Sequence, residues 1–370
     1  MGKLKRSKSN QDLRGGFTTG AFAAAAARAA VKALIERRPF SGITIQIPNR
    51  DWATFSIHRL DISDSVLAGV IKDAGDDPDC THGLEIQCLA RLTSQKGISL
   101  QGGRGVAVVT KPGLELPVGR PAINPVPYAN IVEMAKLEWL NAPLDLQDEL
   151  GIELTIIVPQ GELAAKETIN ARLGLIGGIS ILGTRGTVKP YSTSAYAASV
   201  RQSIQIANAN QLTHVVLTTG SRSENAAKIL FPELDEMALI QAGDFIGIGL
   251  RAAKRYQLQQ VTLVTMIGKM GKLISGRMMT HVSGYGIDFD YLSQLALEEG
   301  ISSLVCAKIA KANTGRHALD LVREQKAGPF FNRLCYEARQ HVLSYINNAL
   351  EVDVVLIDFN GQPLGRCCKY

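Results

Sequence analysis

Several features are missing from this sequence, and each absence removes a class of function. Its six cysteines, Cys80, Cys88, Cys306, Cys335, Cys367 and Cys368, form no CxxC pair and fit no zinc spacing. They read as reduced thiols of a cytoplasmic protein rather than a disulfide framework. No stretch approaches the ~20 apolar residues that span a bilayer. The basic start and the following run AFAAAAARAAVKALI imitate a signal peptide, but Arg28 and Lys32 interrupt the apolar core. We therefore expect no targeting segment and no membrane contact. No GxGxxG follows an expected strand, and Gly268-Lys269-Met270-Gly271-Lys272 lacks the Walker A spacing. The acidic turn Ala74–Thr81, with Asp76, Asp77, Asp79 and His82, lacks EF-hand spacing, so no metal site is expected. A nucleophilic triad is missing as well.

Charge is sparse and uneven. Charged residues make up 20% of the chain and the net charge is +6, of which Lys3, Lys5, Arg6 and Lys8 supply four units. The remaining body is close to neutral, which argues against nucleic acid as a partner and leaves room for a local basic pocket.

What is present begins with glycine. The segment NARLGLIGGISILGTRGTVKP (170–190) holds five glycines around an apolar run. Glycine weakens a strand, so its use here implies sharp turns or a close backbone approach. A bulged strand with two turns explains it, and so does contact with a ligand. The 370 residues favour two domains. Residues 1–12 read as a disordered basic arm. Residues 13–194 mix strands at 43–47, 52–57, 85–93, 105–110 and 154–158 with helices at 21–38 and 130–140, which predicts an α+β domain. Residues 195–370 alternate strands at 215–217, 261–267 and 352–359 with helices. That pattern predicts a smaller α/β domain, Rossmann-like, with a mainly parallel sheet.

Loops after strands of such a sheet are where ligands bind. Thr218–Glu224, containing the capping-box pattern Ser221-Arg222-Ser223-Glu224, and Gly268–Lys272 are therefore candidates. Both are equally readable as ordinary helix starts. Thr18-Thr19-Gly20 caps a helix or holds a carboxylate. His281 is a candidate acid or base by residue type.

Taken together, LRGGFTTGAFAAAAARAA (13–30), GDDPDCTHG (75–83), GGRGVAVVTKPGL (102–114), GRPAINPVP (119–127), the glycine block, LTTGSRSE (217–224), QAGDF (241–245) and GKMGKLISGRMMTH (268–281) closely resemble the cobalt-precorrin-5B C1-methyltransferase family, CbiD. The order and spacing carry the likeness, which runs from Arg14 to the last expected strand. It implies S-adenosyl-L-methionine as methyl donor and a cobalt-precorrin tetrapyrrole bearing several carboxylates as acceptor, in cobalamin biosynthesis. Self-association and transient contact with neighbouring pathway enzymes are left open. For the donor the resemblance implies close backbone and short polar or acidic side chains: Gly183, Thr184, Gly186, Thr218, Gly220, Ser221 and Asp244. For the acceptor it points to Arg14, Thr18, Thr19, Gly20, Arg104, Lys111, Lys269 and Lys272. His281 and Asp77 are candidates to take a proton. Phe22, Arg185 and Lys189 depart from the family pattern; Phe22 excludes a thiol at that position. A non-catalytic corrinoid carrier and a nucleotide-dependent oxidoreductase are the competing functions.

Overall fold

A computed structural model describes residues 13–280, 286–323, 325 and 327–368. The chain divides after Ser192 into two compact units.

In the first unit β1 (Gly16–Phe17) leads into α1 (Thr19–Glu36). Thr18 caps this helix, its hydroxyl accepting from Ala21 N, and Arg37 ends it in the left-handed conformation. A hairpin follows, β2 (Gly42–Gln46) and β3 (Trp52–Ser56), and then β4 (Arg59–Ile62), β5 (Val66–Ile71), β6 (Glu85–Thr93) and β7 (Gly97–Gly102). The stretch expected as one strand at 105–110 is two short ones, β8 (Gly105–Val106) and β9 (Val108–Val109). Next come α2 (Pro125–Trp139), α3 (Leu144–Glu149), β10 (Gly151–Ile157) and α4 (Gly161–Ala165). The helix expected from residue 130 starts earlier because Pro125 suits a first turn. The glycine block forms β11 (Leu175–Ile176), β12 (Gly178–Ile179) and β13 (Thr187–Val188).

The main sheet has the order β4-β5-β6-β10-β7, with only the β10–β7 pair parallel. Register aligns Val66, Ala90, Leu154 and Leu100 across four strands, and all are buried. α1 crosses β5 and β6 and packs on α2. Phe22 lies edge-on to Phe55 at 5.0 Å between ring centres, with Phe17 closing the cluster. This apolar packing accounts for an aromatic at position 22.

The second unit contains α5 (Thr193–Ala209), β14 (His214–Thr218), α6 (Ser221–Leu230), β15 (Leu239–Gln241), α7 (Ile246–Arg255), β16 (Gln260–Met266) and α8 (Ile267–Leu273). After these come α9 (Phe289–Glu298), α10 (Ser303–Ala310), α11 (Gly315–Arg323), α12 (Gly328–Tyr345), β17 (Glu351–Ile357) and β18 (Pro363–Cys367). The sheet order is β15-β14-β16-β17-β18; the first four strands are parallel and β18 is antiparallel. α6 packs on one face with Val216, Val264 and Val355, whereas α5, α7 and α12 cover the other. From β14 the chain steps to one side through α6, then returns past β14 to β16 through α7. The strand order thus reverses between β14 and β16, and the carboxyl ends at such a reversal form the crevice where ligands bind in sheets of this kind.

Candidate functional sites

The first unit gathers three of the motifs at one joint. Thr18 N donates to Gly186 O at 2.9 Å, and Gly20 N donates to Leu182 O at 3.0 Å. Thr19 Oγ1 donates to Leu182 O and accepts from Leu182 N. The amide groups of Gly20 and Ala21 at the start of α1 are therefore satisfied by the protein itself. Thr18 and Thr19 are also buried. All three residues seat the glycine block. A Cβ on Gly183 would fall 2.3–2.5 Å from the Thr18 side chain, and one on Gly186 would meet Ile47 and Pro48 at 2.7–2.8 Å. The close approach that demands glycine at both positions is to the chain's own atoms. Thr184, Arg185 and Lys189 are exposed beside them.

The acidic turn docks on the same joint. Arg14 binds Asp73 through both Nη atoms, at 2.5 and 2.7 Å, so its guanidinium is already engaged. Phe17 N donates to Asp73 O and Asp76 N to Arg14 O. Asp77 accepts from Tyr191 N at 2.9 Å through Oδ1, and its Oδ2 has no hydrogen-bond partner among the described residues. His82 Nδ1 accepts from Ala74 N. Far from standing free in water, the turn is anchored by Lys72, which is buried and donates to Asp79 at 2.5 Å.

The Arg14 hydrogen bonds, and then the Gly75 N–H, hold the Asp73 carboxyl down to about 2 from an ordinary 3.8. A depressed value means the pair's contribution is present above pH 3.8 and is lost as pH falls toward 2. An NMR titration of Asp73 should show that low value, and Arg14→Gln should return it toward 3.8.

Arg104 and Lys111 lie apart from this joint, beside β8 and β9. Arg104 is exposed and makes no ion pair among the described residues. The stem of Lys111 packs over Gly174.

In the second unit the crevice between β14 and β16 collects most of the remaining candidates. Thr218 is fully buried, and its carbonyl accepts from Ala242 N and Gly243 N. Gly220, not Ser221, is the cap of α6; Ser223 Oγ donates to Gly220 O and accepts from Thr219 N at 2.9 Å. The capping-box expectation is therefore also revised. Ser221 is exposed at the first turn.

Gly268–Lys272 is not a loop. It belongs to α8, which starts directly after β16. Lys269 Nζ donates to Thr219 O at 2.8 Å and pairs with Asp244 at 3.1 Å, tying the ends of β14 and β16 together. Asp244 Oδ1 also accepts from Thr280 Oγ1. Lys272 is buried and donates to Thr280 O at 2.8 Å. His281 lies outside the described residues.

Two glycines here differ from Gly183 and Gly186. Nothing lies within 4 Å of a Cβ built on Gly220 or on Gly268. Bare backbone with open space above it marks the tips of two adjacent parallel strands. Sequence reading missed Tyr196, whose hydroxyl donates to Gln241 O at 3.0 Å and whose ring stacks on Phe245. Its importance comes from partners some 45 residues away in the chain, which no local motif signals.

The fold and both sites being described, the chain can be set beside known proteins. The CbiD family model matches residues 6–190, and the CbiD C-terminal domain model matches residues 279–368. The chain belongs to the CbiD family. It is 43% identical to a Leptospira borgpetersenii cobalt-precorrin-5B C(1)-methyltransferase, over 97% of this chain and 96% of that one. It is 44% identical to the Geobacillus sp. protein of the same name, over 98% of each chain. The Priestia megaterium protein of that name is 43% identical, again over 98% of both. A crystal structure of the cobalamin biosynthesis protein cbiD from Archaeoglobus fulgidus aligns over 84% of each chain at 22% identity and a TM-score of 0.38.

Proposed function

We propose that this chain methylates C1 of cobalt-precorrin-5B in cobalamin biosynthesis, with S-adenosylmethionine as donor. The observation that carries the reading is identity of 43–44% over 97–98% of the chain to methyltransferases of that name. We also read the first unit as an α+β domain, the second as a smaller α/β domain, and the enzyme as cytoplasmic. In keeping with this, no helix among the described residues is long and apolar enough to cross a membrane.

The residues present at the second unit's crevice suit the donor. Gly220 and Gly268 leave open space at the strand ends that a Cβ on either would enter. Ser221 presents a first-turn amide of α6, which favours a carboxylate. When bound, the donor supplies a methyl group on a positively charged sulfur. The chain's own share is then to orient and to exclude water. The Lys269–Asp244 pair and the Lys269–Thr219 bond fix the two strand ends relative to each other. In the first unit, Arg104 and Lys111 are the cations proposed to meet acceptor carboxylates, and Asp77, with one oxygen uncommitted, is the proposed proton acceptor.

Calorimetry with S-adenosylhomocysteine tests the donor site, and mass analysis of cobalt-precorrin-5B incubated with donor tests the reaction. An acceptor bound but unchanged in mass would leave only a carrier. Gly268→Ala is a sharper probe. It is expected to leave stability unchanged or raise it by up to about 1 kcal/mol, because a helical glycine is replaced where there is space. The same methyl should weaken S-adenosylhomocysteine binding on the order of tenfold.

A further inference from the structure

Tyr196 stands in the first turn of α5, beside the carboxyl ends of β14 and β15. Three contacts fix its ring. The hydroxyl donates to Gln241 O at 3.0 Å. The ring stacks on Phe245, with centres 5.3 Å apart and planes inclined by 29°. Gly243 lies beneath it with φ +58, and a Cβ there would come within 2.9 Å of the Tyr196 oxygen. Glycine at position 243 therefore serves twice, for its backbone angle and for the room it leaves the ring.

Although held so firmly, Tyr196 remains 38% exposed. A buried tyrosine normally finds a hydrogen-bond partner and hides its ring. Here the hydroxyl is satisfied inside the protein, yet more than a third of the residue stays open to solvent. The ring also faces the crevice electrostatically: burial pushes its hydroxyl up, and Asp244 and Glu224 push it further. The hydroxyl therefore stays neutral and keeps donating to Gln241. Asp244 is the residue that joins Lys269 and Thr280, so the aromatic pair adjoins the network that ties the strand ends.

We propose that Tyr196, backed by Phe245, is the stacking surface for the purine base of the methyl donor. This rests on the reading of the crevice as the donor site. A fixed aromatic face offers a base a stacking partner without further ordering of the protein, and such stacking contributes substantially to affinity. The neighbouring short backbone at Gly220 and Gly268 leaves the rest of the crevice for the polar part of the same molecule.

The test is S-adenosylhomocysteine binding by the full-length chain, measured by calorimetry for wild type, Tyr196→Phe and Tyr196→Leu. Tyr196→Phe keeps the face and loses the hydroxyl; it should bind within about threefold of wild type. Tyr196→Leu keeps apolar bulk against Phe245 and loses the flat face; it should bind about tenfold more weakly. In turnover, Tyr196→Leu should raise KM for the donor and leave kcat and the acceptor KM unchanged. Equal binding by wild type and Tyr196→Leu would overturn the assignment, as would a Tyr196→Phe variant as weak as Tyr196→Leu. Should the leucine variant not fold, wild type alone decides: NMR must show cross-relaxation between base protons and the Tyr196 ring, and its absence overturns the inference. Failure of wild type to bind S-adenosylhomocysteine at all would instead remove the donor site itself.

Discussion

Asp79→Ala should destabilise the first unit by about 3–5 kcal/mol, the usual result of stranding a buried charge. Lys72 is 2% exposed, and Asp79 is the sole side-chain partner of its ammonium group among the described residues. Lys72→Met should cost much less. It leaves behind a carboxylate that is 24% exposed and still accepts from the Thr81 amide and hydroxyl. That asymmetry distinguishes a stranded cation from mere loss of a contact. Thermal unfolding of the two variants measures it, with a drop of roughly 10 °C for Asp79→Ala at this domain size. The pH dependence has a definite sign. Burial pushes the Asp79 carboxyl up, but Lys72 and Thr81 outweigh it, and the net shift is downward. The stabilisation is then present above the ordinary carboxylate value and disappears as pH falls below it. Equal losses in both variants would refute this account.

Gly183→Ala should be the second most damaging change, at about 3 kcal/mol, from overpacking together with a disfavoured backbone angle. The new methyl would overlap Thr18, and Gly183 has φ +131. Thr18 is the cap of α1, so the clash reaches the helix start and the strand pairing of Gly16–Phe17 with Thr187–Val188. By contrast, Gly268→Ala should be nearly silent in stability and loud in ligand binding. Chemical denaturation of the two proteins side by side reads the difference. Two glycine motifs alike in sequence would thus be separated by what stands opposite them.

That separation shows what the sequence could and could not reveal. Helix α1 was legible because Thr18 caps it, alanine favours it, and Pro39 follows its end. Strand β6 and the β2–β3 hairpin were legible from local alternation. Strand β7, GISLQG, was not, because glycine at both ends hides a segment whose partner is β10, some 54 residues later. Helix α8 passed for a loop because Gly268 and Gly271 lower its helix propensity; a Cβ on Gly271 would meet Ile287 at 2.7 Å. Nothing local in the sequence reveals that Lys272 turns inward to Thr280. In the candidate sites, residue types at the strand ends were readable. Which glycines face protein and which face open space depended on long-range packing.

The nine buried alanines of α1 have a consequence for motion. Side chains that end at Cβ let a helix approach its neighbours to about 8 Å between axes, the short end of the usual range. The helix then acts as a ruler for the spacing between the β5–β6 surface and α2, and Arg28, which donates to Glu138 of α2 at 2.7 Å, pins that spacing further. Its amide protons should exchange with solvent only when the whole first unit opens, making α1 the slowest-exchanging segment of that unit.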